Sequence, residues 1–297
     1  MMRLLLGLCV VGAGGAWVLT GGQQLSADDL DIQTGDAVAG EQIFWAAGCA
    51  SCHVAPEAEE TPAPVLAGGE RFPSDFGTFV APNISPDAAV GIGNWTLAEF
   101  ATALRNGVSP QGQHYYPAFP YPSYTHMTDQ DIADLWAFMQ TLPASDAPSQ
   151  SHELSFPFSI RRSVAVWKWM NLPSDFHTQD ADTPELERGR YLVEALSHCA
   201  ECHTPRDAFG GLIADRWMGG APNPTGKGNI PNITPGALDW SDTDIAYYLG
   251  TGFTPDYDSA GGHMARVVQN LSKLPEEDRK AITAYLKALP AVAPSSD

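Results

Sequence analysis

The sequence predicts an all-α protein made of two similar tandem units, each a few short helices, behind an N-terminal apolar helix. Three observations support this fold class. The same landmarks occur twice in the same order, at offsets of 145–150 residues. Apolar residues recur at helical spacing, and no stretch shows the alternation of a half-buried strand. The 297 residues include 28 glycines and 24 prolines, which is typical of short helices joined by loops.

The N-terminal element is an apolar run that follows Arg3. Residues 4–20 carry no charge, and polar residues follow from Gly21. A cationic start followed by an apolar stretch is typical of an export signal, and the length of the run is close to that of a membrane-spanning helix. Residues 1–27 are therefore predicted to be a signal peptide or a membrane anchor. The predicted location is the periplasm, with or without attachment to the inner membrane.

Two units follow, predicted at residues 34–143 and 185–292, with a linker at 144–184. They share a Cys-x-x-Cys-His motif, a Pro-Asn-Ile segment, a tryptophan followed by a hydroxyl residue, and a final Leu-Pro. These landmarks occur at residues 49–53 and 199–203, 82–84 and 231–233, 95–96 and 240–241, and 142–143 and 289–290. Such an ordered recurrence indicates a duplicated domain.

Each unit is predicted to end in an amphipathic helix. The first begins after the capping residue Thr128, with acidic residues in its first turn that complement the helix dipole. The second begins at Pro275, and proline is favoured in the first turn of a helix. The residues predicted to face the core are Leu135, Phe138, Met139 and Leu142 in the first helix, and Ile282, Tyr285, Leu286 and Leu289 in the second.

The repeated Cys-x-x-Cys-His motif predicts covalent attachment of haem. Its two thiols can each form a thioether with a haem vinyl group, and the adjacent histidine then reaches the iron. Disulfides would leave both histidines unexplained, and a thioredoxin-like dithiol would need a βαβ pattern. A structural zinc site would also fit four thiolates, but duplication, export and the two histidines favour two haem c groups. The predicted attachment and proximal residues are Cys49, Cys52, His53, Cys199, Cys202 and His203.

Further segments resemble a known family, the class I multihaem cytochromes c. The nearest group is the cytochrome subunits of periplasmic alcohol and sugar-acid dehydrogenases. The segments that carry the resemblance are residues 68–72, 76–79 and 82–87 in the first unit and residues 198–206, 261–265 and 267–268 in the second. The resemblance covers nearly all of residues 34–292 and implies two tandem class I cytochrome c domains. Those subunits usually carry three haems, whereas this chain has two attachment motifs.

The resemblance also implies a methionine as the sixth ligand of each iron, supplied by the loop before the last helix. In the second unit Met264, predicted to lie in a Gly-Gly-His-Met loop, matches this position. In the first unit the corresponding residue is Phe119, and Met127, directly before the last helix, is the nearest thioether. His114 and His126 are alternative ligands of the first iron, and an open coordination position is a third alternative.

These features predict an electron carrier without catalytic activity of its own, because an iron with six ligands has no free site for a substrate. One alternative is a peroxidase-like dihaem enzyme whose first iron is open. Another is a docking subunit of a membrane oxidoreductase complex. The formal net charge of −19 argues against nucleic acid as a partner. It favours a redox protein with a basic docking face, such as a dehydrogenase, an oxidase or a small cytochrome.

Overall fold

The computed structural model describes residues 14–15, 17–224 and 228–294. The names first repeat and second repeat denote residues 34–143 and 185–292, whose boundaries as domains stay a prediction. The helices of the first repeat are α1 (Ala37–Ala46), α2 (Cys49–His53), α3 (Leu97–Asn106), α4 (Tyr121–Tyr124) and α5 (Asp129–Met139). The linker forms α6 (Val164–Asn171). The helices of the second repeat are α7 (Pro184–Arg190), continued by a π-helix (Tyr191–Leu196), then α8 (Ala200–His203), α9 (Asp242–Thr251), α10 (Gly262–Leu271) and α11 (Glu276–Ala288).

In each repeat the helix before the motif crosses the last helix at a glycine. Helix α1 packs against α5 at Gly40, where a Cβ atom would lie 1.9 Å from the carbonyl oxygen of Asp134. Helix α7 packs against α11 at Gly189, where a Cβ atom would lie 2.0 Å from the carbonyl oxygen of Ala281. A side chain larger than a hydrogen atom would push the two backbones apart at either crossing. The crossings therefore fix each motif relative to its own last helix.

The predicted apolar faces of the two last helices are confirmed, because all eight of their residues are buried. The Thr128 side chain accepts a hydrogen bond from the backbone of Asp131, as expected for a cap. Most of the buried apolar residues of both repeats belong to one contiguous core. Burial of each large apolar side chain contributes about 1.5–3 kcal/mol, so this shared core is the main source of stability.

The prediction of an all-α fold is wrong, because both repeats carry short strands. Strands β1 (Arg71–Ser74) and β2 (Gly77–Val80) form an antiparallel hairpin, and β3 (Glu153–Leu154) from the linker pairs with the other edge of β2. In the second repeat β4 (Ala221–Pro222) pairs with β5 (Asn229–Ile230).

The physical reason for this error lies in the length and setting of the strands. Elements of two to four residues are too short to establish a period of two, and Pro73 within β1 argues against a central strand. The structure places β1 at an edge of the sheet, where proline is tolerated. Gly77 adopts a φ of 122°, and a Cβ atom there would lie 2.3 Å from the carbonyl oxygen of Glu153. The sheet thus depends on a contact with the linker that local sequence does not reveal.

The predicted N-terminal apolar helix also needs correction. Residues 4–13 of the apolar run, which include Cys9, and residue 16 lie outside the described residues. Within the ranges that the structure describes, no helix combines the length and the apolar character that a membrane crossing requires. The structure therefore does not support the N-terminal helix of the predicted fold or the predicted inner-membrane anchor.

The linker contacts both repeats. Lys168 on α6 is buried, and its ammonium group donates a hydrogen bond of 2.7 Å to the carbonyl oxygen of Gly107 after α3. On the other side, the indole nitrogen of Trp167 donates to the carbonyl oxygen of Phe209 in the second repeat at 3.0 Å. Helix α6 therefore joins the end of α3 to the loop that follows the second motif.

Candidate functional site

Each Cys-x-x-Cys-His motif forms a short helix that begins after a left-handed residue. Gly48 precedes the first motif with a φ of 68°, and His198 precedes the second with a φ of 45°. This conformation turns the chain sharply out of the preceding helix, and histidine is among the few residues besides glycine that adopt it with some frequency. The two motif helices, α2 and α8, consequently leave the preceding helices in equivalent ways.

The histidine at the end of each motif is held by one hydrogen bond. His53 Nδ1 lies 2.8 Å from the carbonyl oxygen of Pro82, and His203 Nδ1 lies 2.8 Å from the carbonyl oxygen of Pro231. Because a carbonyl oxygen only accepts, Nδ1 carries the proton in both rings and Nε2 keeps its lone pair. Burial also lowers the pKa of both imidazoles, which favours the neutral form. A neutral ring with a free, oriented Nε2 is the form that binds a metal.

A second backbone contact fixes the chain beneath each histidine. The amide of Gly68 donates to the carbonyl oxygen of His53 at 2.7 Å, and the amide of Gly220 donates to that of His203 at 2.8 Å. Both glycines have positive φ, 74° and 84° respectively. At each position a Cβ atom would collide with the backbone next to the proline that binds the imidazole. The glycines therefore let the histidine and the proline carbonyl approach each other.

The Pro-Asn-Ile landmarks hold that proline carbonyl in place. The Asn83 side chain donates to the carbonyl oxygens of Ser145 (2.9 Å) and Ala147 (2.8 Å), which follow the first repeat. The Asn232 side chain donates to the carbonyl oxygen of Val292 at 2.7 Å, after the last helix of the second repeat. Each asparagine thus ties the segment beside the imidazole to the chain that leaves the last helix, which explains why these landmarks occur in both repeats.

The four motif cysteines are all free thiols. Burial raises the pKa of Cys49 and of Cys199 to about 12, and that of Cys52 to about 11. A redox-active dithiol has a lowered thiol pKa instead, and the described residues contain no cluster of three or more side chains that could hold a metal ion. The raised thiol pKa values therefore argue against a redox-active dithiol. Two reduced thiols beside an imidazole with a free Nε2 fit a covalently attached haem.

Met127 is fully buried, with 1% of its surface exposed, in the turn directly before α5. Its carbonyl oxygen accepts a hydrogen bond of 2.5 Å from the guanidinium group of Arg105. The same guanidinium group forms an ion pair of 2.5 Å with Asp129, in the first turn of α5. A single arginine of helix α3 therefore contacts both the backbone of Met127 and the first turn of α5.

Both alternative histidine ligands of the first repeat have other contacts. His114 is buried, with Nδ1 at 3.1 Å from the ammonium group of Lys168 and Nε2 at 3.1 Å from the carbonyl oxygen of Thr20. The ring of His126 stacks on Phe176 of the linker, with 4.6 Å between centroids. The structure thus places both rings in contact with the linker or the N-terminal segment.

Met264 lies in the first turn of helix α10 rather than in the predicted loop. It is half-buried and packs against the apolar core, while the neighbouring His263 ring stacks on Phe72 of the first repeat at 5.9 Å between centroids. The glycines before Met264 suggested a loop, but Gly261 is extended and serves as the N-cap of the helix. Glycine is accepted at an N-cap, so a glycine pair is compatible with a helix start.

The structure also brings the two motifs together, which sequence analysis did not anticipate. Arg266 and Asn270 on α10 of the second repeat both contact Ser51, which lies between the two cysteines of the first motif. The thiols are near enough for the charge of Cys202 to raise the pKa of Cys52. The only signal in the sequence is that Arg266 follows Met264 by two residues, and this says nothing about a contact with the other repeat.

The sequence is similar to known cytochromes c. The family model described as cytochrome c matches residues 37–143. A protein of Cereibacter sphaeroides described as diheme cytochrome c-type is 56% identical over 283 residues, which cover 95% of this chain and 95% of that protein.

Two further relatives are subunits of dehydrogenases. The fructose dehydrogenase cytochrome subunit of Gluconobacter japonicus is 40% identical over 86% of this chain and 53% of its own length. The cytochrome c subunit of the quinone alcohol dehydrogenase of Gluconobacter oxydans is 35% identical over 85% of this chain and 54% of its own length. The chain therefore spans about half the length of these two subunits.

Proposed function

Since this chain belongs to the cytochrome c family, we propose that it is a periplasmic electron carrier that accepts electrons from a dehydrogenase and passes them to a further redox protein. The relatives confirm the predicted dihaem cytochrome c, with two covalent haem c groups and a role in electron transfer. The observation that carries the proposal is the same proximal arrangement in both repeats, a pair of reduced cysteines beside an imidazole fixed by a proline carbonyl at 2.8 Å.

Each haem iron, when bound, cycles between Fe(III) and Fe(II) and so takes up or gives off one electron. The residues of the chain supply attachment, ligands and a low-polarity environment. Cys49, Cys52, Cys199 and Cys202 would form the thioethers, and the free Nε2 atoms of the two motif histidines would bind the iron. Because the Nδ1–H group of each imidazole donates to a carbonyl oxygen, the ring keeps one tautomer and one orientation throughout the redox cycle.

Met127 is the proposed sixth ligand of the first iron. Its complete burial supports this role, as do the contacts of Arg105 with the Met127 carbonyl oxygen and the Asp129 carboxylate, because a ligand held by a rigid scaffold is lost less easily. His114 is less suited, since both of its ring nitrogens have polar partners. Met264 is the proposed sixth ligand of the second iron, and its place at the start of α10 supports a fixed position for the sulfur.

A histidine and a methionine would occupy both coordination positions that the haem leaves open on its iron, which supports a carrier without catalytic chemistry of its own. The names of its relatives support a dehydrogenase as one partner. The net charge of −19 supports a partner with a basic docking face. The association rate with such a partner should fall as ionic strength rises from low to physiological, and a rate that stays constant would contradict the charged contact.

A determination of haem content tests the proposal most directly. The purified protein should contain two haems per chain in a pyridine haemochrome assay after extraction with acid acetone, because thioethers resist that treatment. Cys52→Ala and Cys202→Ala should each remove about one covalent haem. If either variant keeps two fully covalent haems, one motif does not attach one haem. A ferric first haem that binds peroxide and turns it over would instead favour the peroxidase-like alternative.

A further inference from the structure

Helix α10 of the second repeat makes a charged contact with the first haem attachment motif. Arg266 donates one hydrogen bond of 3.2 Å to the carbonyl oxygen of Ser51 and another of 2.7 Å to the carboxylate of Glu70. Ser51 lies directly before Cys52, and Glu70 follows the glycine pair that supports His53. A cation and an anion are thus placed side by side at the first motif, and the cation comes from the other repeat.

A neutral contact fixes the same helix against the same motif. The side chain of Asn270, one turn after Arg266, donates to the hydroxyl oxygen of Ser51 at 2.8 Å and is 5% exposed. This partly buried bond holds α10 against α2, and the guanidinium group of Arg266 thus keeps its place beside the motif.

We propose that Arg266 raises and Glu70 lowers the reduction potential of the first haem, so that the second repeat tunes the iron of the first. The inference rests on the proposed electron-transfer function and adds to it a pair of positioning residues outside the ligand set. Uptake of one electron lowers the net charge of the iron centre by one. A fixed cation nearby therefore favours the reduced state and raises the reduction potential, whereas a fixed anion favours the oxidised state and lowers the potential.

The expected effect is modest, because the guanidinium side chain is 40% exposed and solvent screens its charge. Replacement by a neutral residue should change the Fe(III)/Fe(II) equilibrium of the first haem about threefold. For a one-electron couple this corresponds to a shift of about 28 mV, since a tenfold change equals about 59 mV.

The test is a spectroelectrochemical titration of the intact dihaem protein at low ionic strength. Arg266→Gln should lower one potential, Glu70→Gln should raise the same potential, and the double variant should return close to the parent value. Arg266→Lys, which keeps the charge, should shift it less than Arg266→Gln. The same variants should also be made together with Met264→His, which lowers the potential of the second haem. The potential that shifts should then be the higher of the two, which belongs to the first haem.

Arg188→Gln is the matched control, because Arg188 forms an ion pair with Asp278 at the same distance of 2.7 Å and with nearly the same exposure, 39% against 40% for the two arginines. It should leave both potentials unchanged. Asn270→Ala loosens the same interface without a change of charge, and its effect on the first potential should be smaller than that of Arg266→Gln.

Three results would overturn the inference: Arg266→Gln and Glu70→Gln shifting the potential in the same direction, neither shifting it, or Asn270→Ala shifting it as much as Arg266→Gln. If Arg266→Gln does not fold with two haems, Glu70→Gln alone tests the inference, which then requires that this variant raise the potential of the first haem. Failure of the parent protein to show two one-electron waves would contradict the proposed function instead, so the two failures are distinguishable.

Discussion

The two repeats are alike on the proximal side of the proposed iron sites and unlike on the distal side. His53 and His203 use the same bond of 2.8 Å to a proline carbonyl. On the distal side Met127 lies in the turn before the last helix, whereas Leu274 occupies the turn before α11 and Met264 lies further upstream, on α10. The scaffold that orients the histidine is thus the same in both repeats, while the proposed sixth ligands occupy different positions.

In each repeat an arginine side chain binds the backbone just before the last helix, but the arginine comes from a different helix. In the first repeat Arg105 of α3 donates to the carbonyl oxygen of Met127. In the second repeat Arg279, which belongs to the last helix itself, donates to the carbonyl oxygen of Leu274. Both guanidinium groups satisfy a carbonyl oxygen directly before the last helix. Both repeats thus provide this carbonyl oxygen with a hydrogen-bond donor, although the donor belongs to a different helix in each repeat.

The largest expected effect comes from replacing the methionines. Met127→His and Met264→His should each abolish one weak charge-transfer band at the red edge of the ferric spectrum and lower one potential. A fall on the order of 0.2 V is expected, because axial ligands set haem potentials over about 0.8 V. The measurement is a redox titration with visible and near-infrared spectra. Each variant should leave the other haem unchanged.

Met139→Leu is the control for this comparison, since Met139 is buried on α5 and packs in the core. It should preserve both bands. If Met127→His changes neither spectrum nor potential, the first iron has a different ligand. His126 and His114 would then be replaced in turn.

Sequence predicted those features that depend on local spacing. Two motifs and the two amphipathic last helices follow from residue order alone, and the buried faces of those helices are confirmed. The strands were missed because β2 is completed by Glu153 of the linker. The contact of Arg266 with Ser51 joins positions far apart in the sequence, and no local pattern encodes such a pairing. Periodicity reports which face is buried, but it does not report against which partner.

The next effect concerns the glycines at the two helix crossings. Gly40→Ala and Gly189→Ala should each lower the free energy of unfolding by about 3 kcal/mol, the upper end of the usual cost of overpacking. A Cβ atom would stand about 2 Å from a carbonyl oxygen in both repeats, so the two losses should be similar. Guanidinium-induced unfolding of the dihaem protein measures them.

Gly250→Ala is the matched control within helix α9, because its Cβ atom would meet only the flexible side chain of Arg279 at 3.1 Å. Its effect should stay within about 1 kcal/mol, since alanine also favours the helix. If one crossing tolerated alanine and the other did not, the structural equivalence of the repeats would be contradicted at this point.

A smaller effect separates the two arginines. Arg105→Ala should destabilise the protein by about 1–2 kcal/mol, because it removes a charge-assisted hydrogen bond and leaves the Asp129 carboxylate without its cationic partner. It should also make the red-edge band of the first haem disappear at a lower temperature. Arg279→Ala should cost a similar free energy but leave the band of the second haem intact, since Leu274 is not a ligand. Spectra recorded during thermal titration distinguish the two outcomes, and equal loss of both bands would refute the assignment.

The smallest effect is a pH dependence at the ends of the equivalent helices α3 and α9. Both helices end at a left-handed glycine, Gly107 and Gly252. Of these two described glycines, Gly107 is the one whose carbonyl oxygen accepts a hydrogen bond from a lysine side chain, that of Lys168. Burial lowers the pKa of Lys168 to about 7. Between about pH 7 and 10.5 the Lys168 side chain is therefore more fully protonated in the unfolded chain than in the folded chain. The free energy of unfolding consequently rises with pH over this range. Below pH 7 both states are protonated and the slope vanishes.

Unfolding free energies at pH 7.5 and pH 9 test this dependence. The parent protein should gain more stability over this interval than Lys168→Met, by at most about 1.4 kcal/mol per pH unit, the limit for one proton. Neighbouring groups do not obscure the difference, because burial lowers the pKa of His114 and raises that of Tyr121, away from this interval in the folded protein. Lys280→Met on the exposed face of α11 is the control and should follow the parent. If Lys168→Met also follows the parent, the Lys168 ammonium group keeps its proton throughout, and its bonds to the end of α3 outweigh the cost of burying the charge.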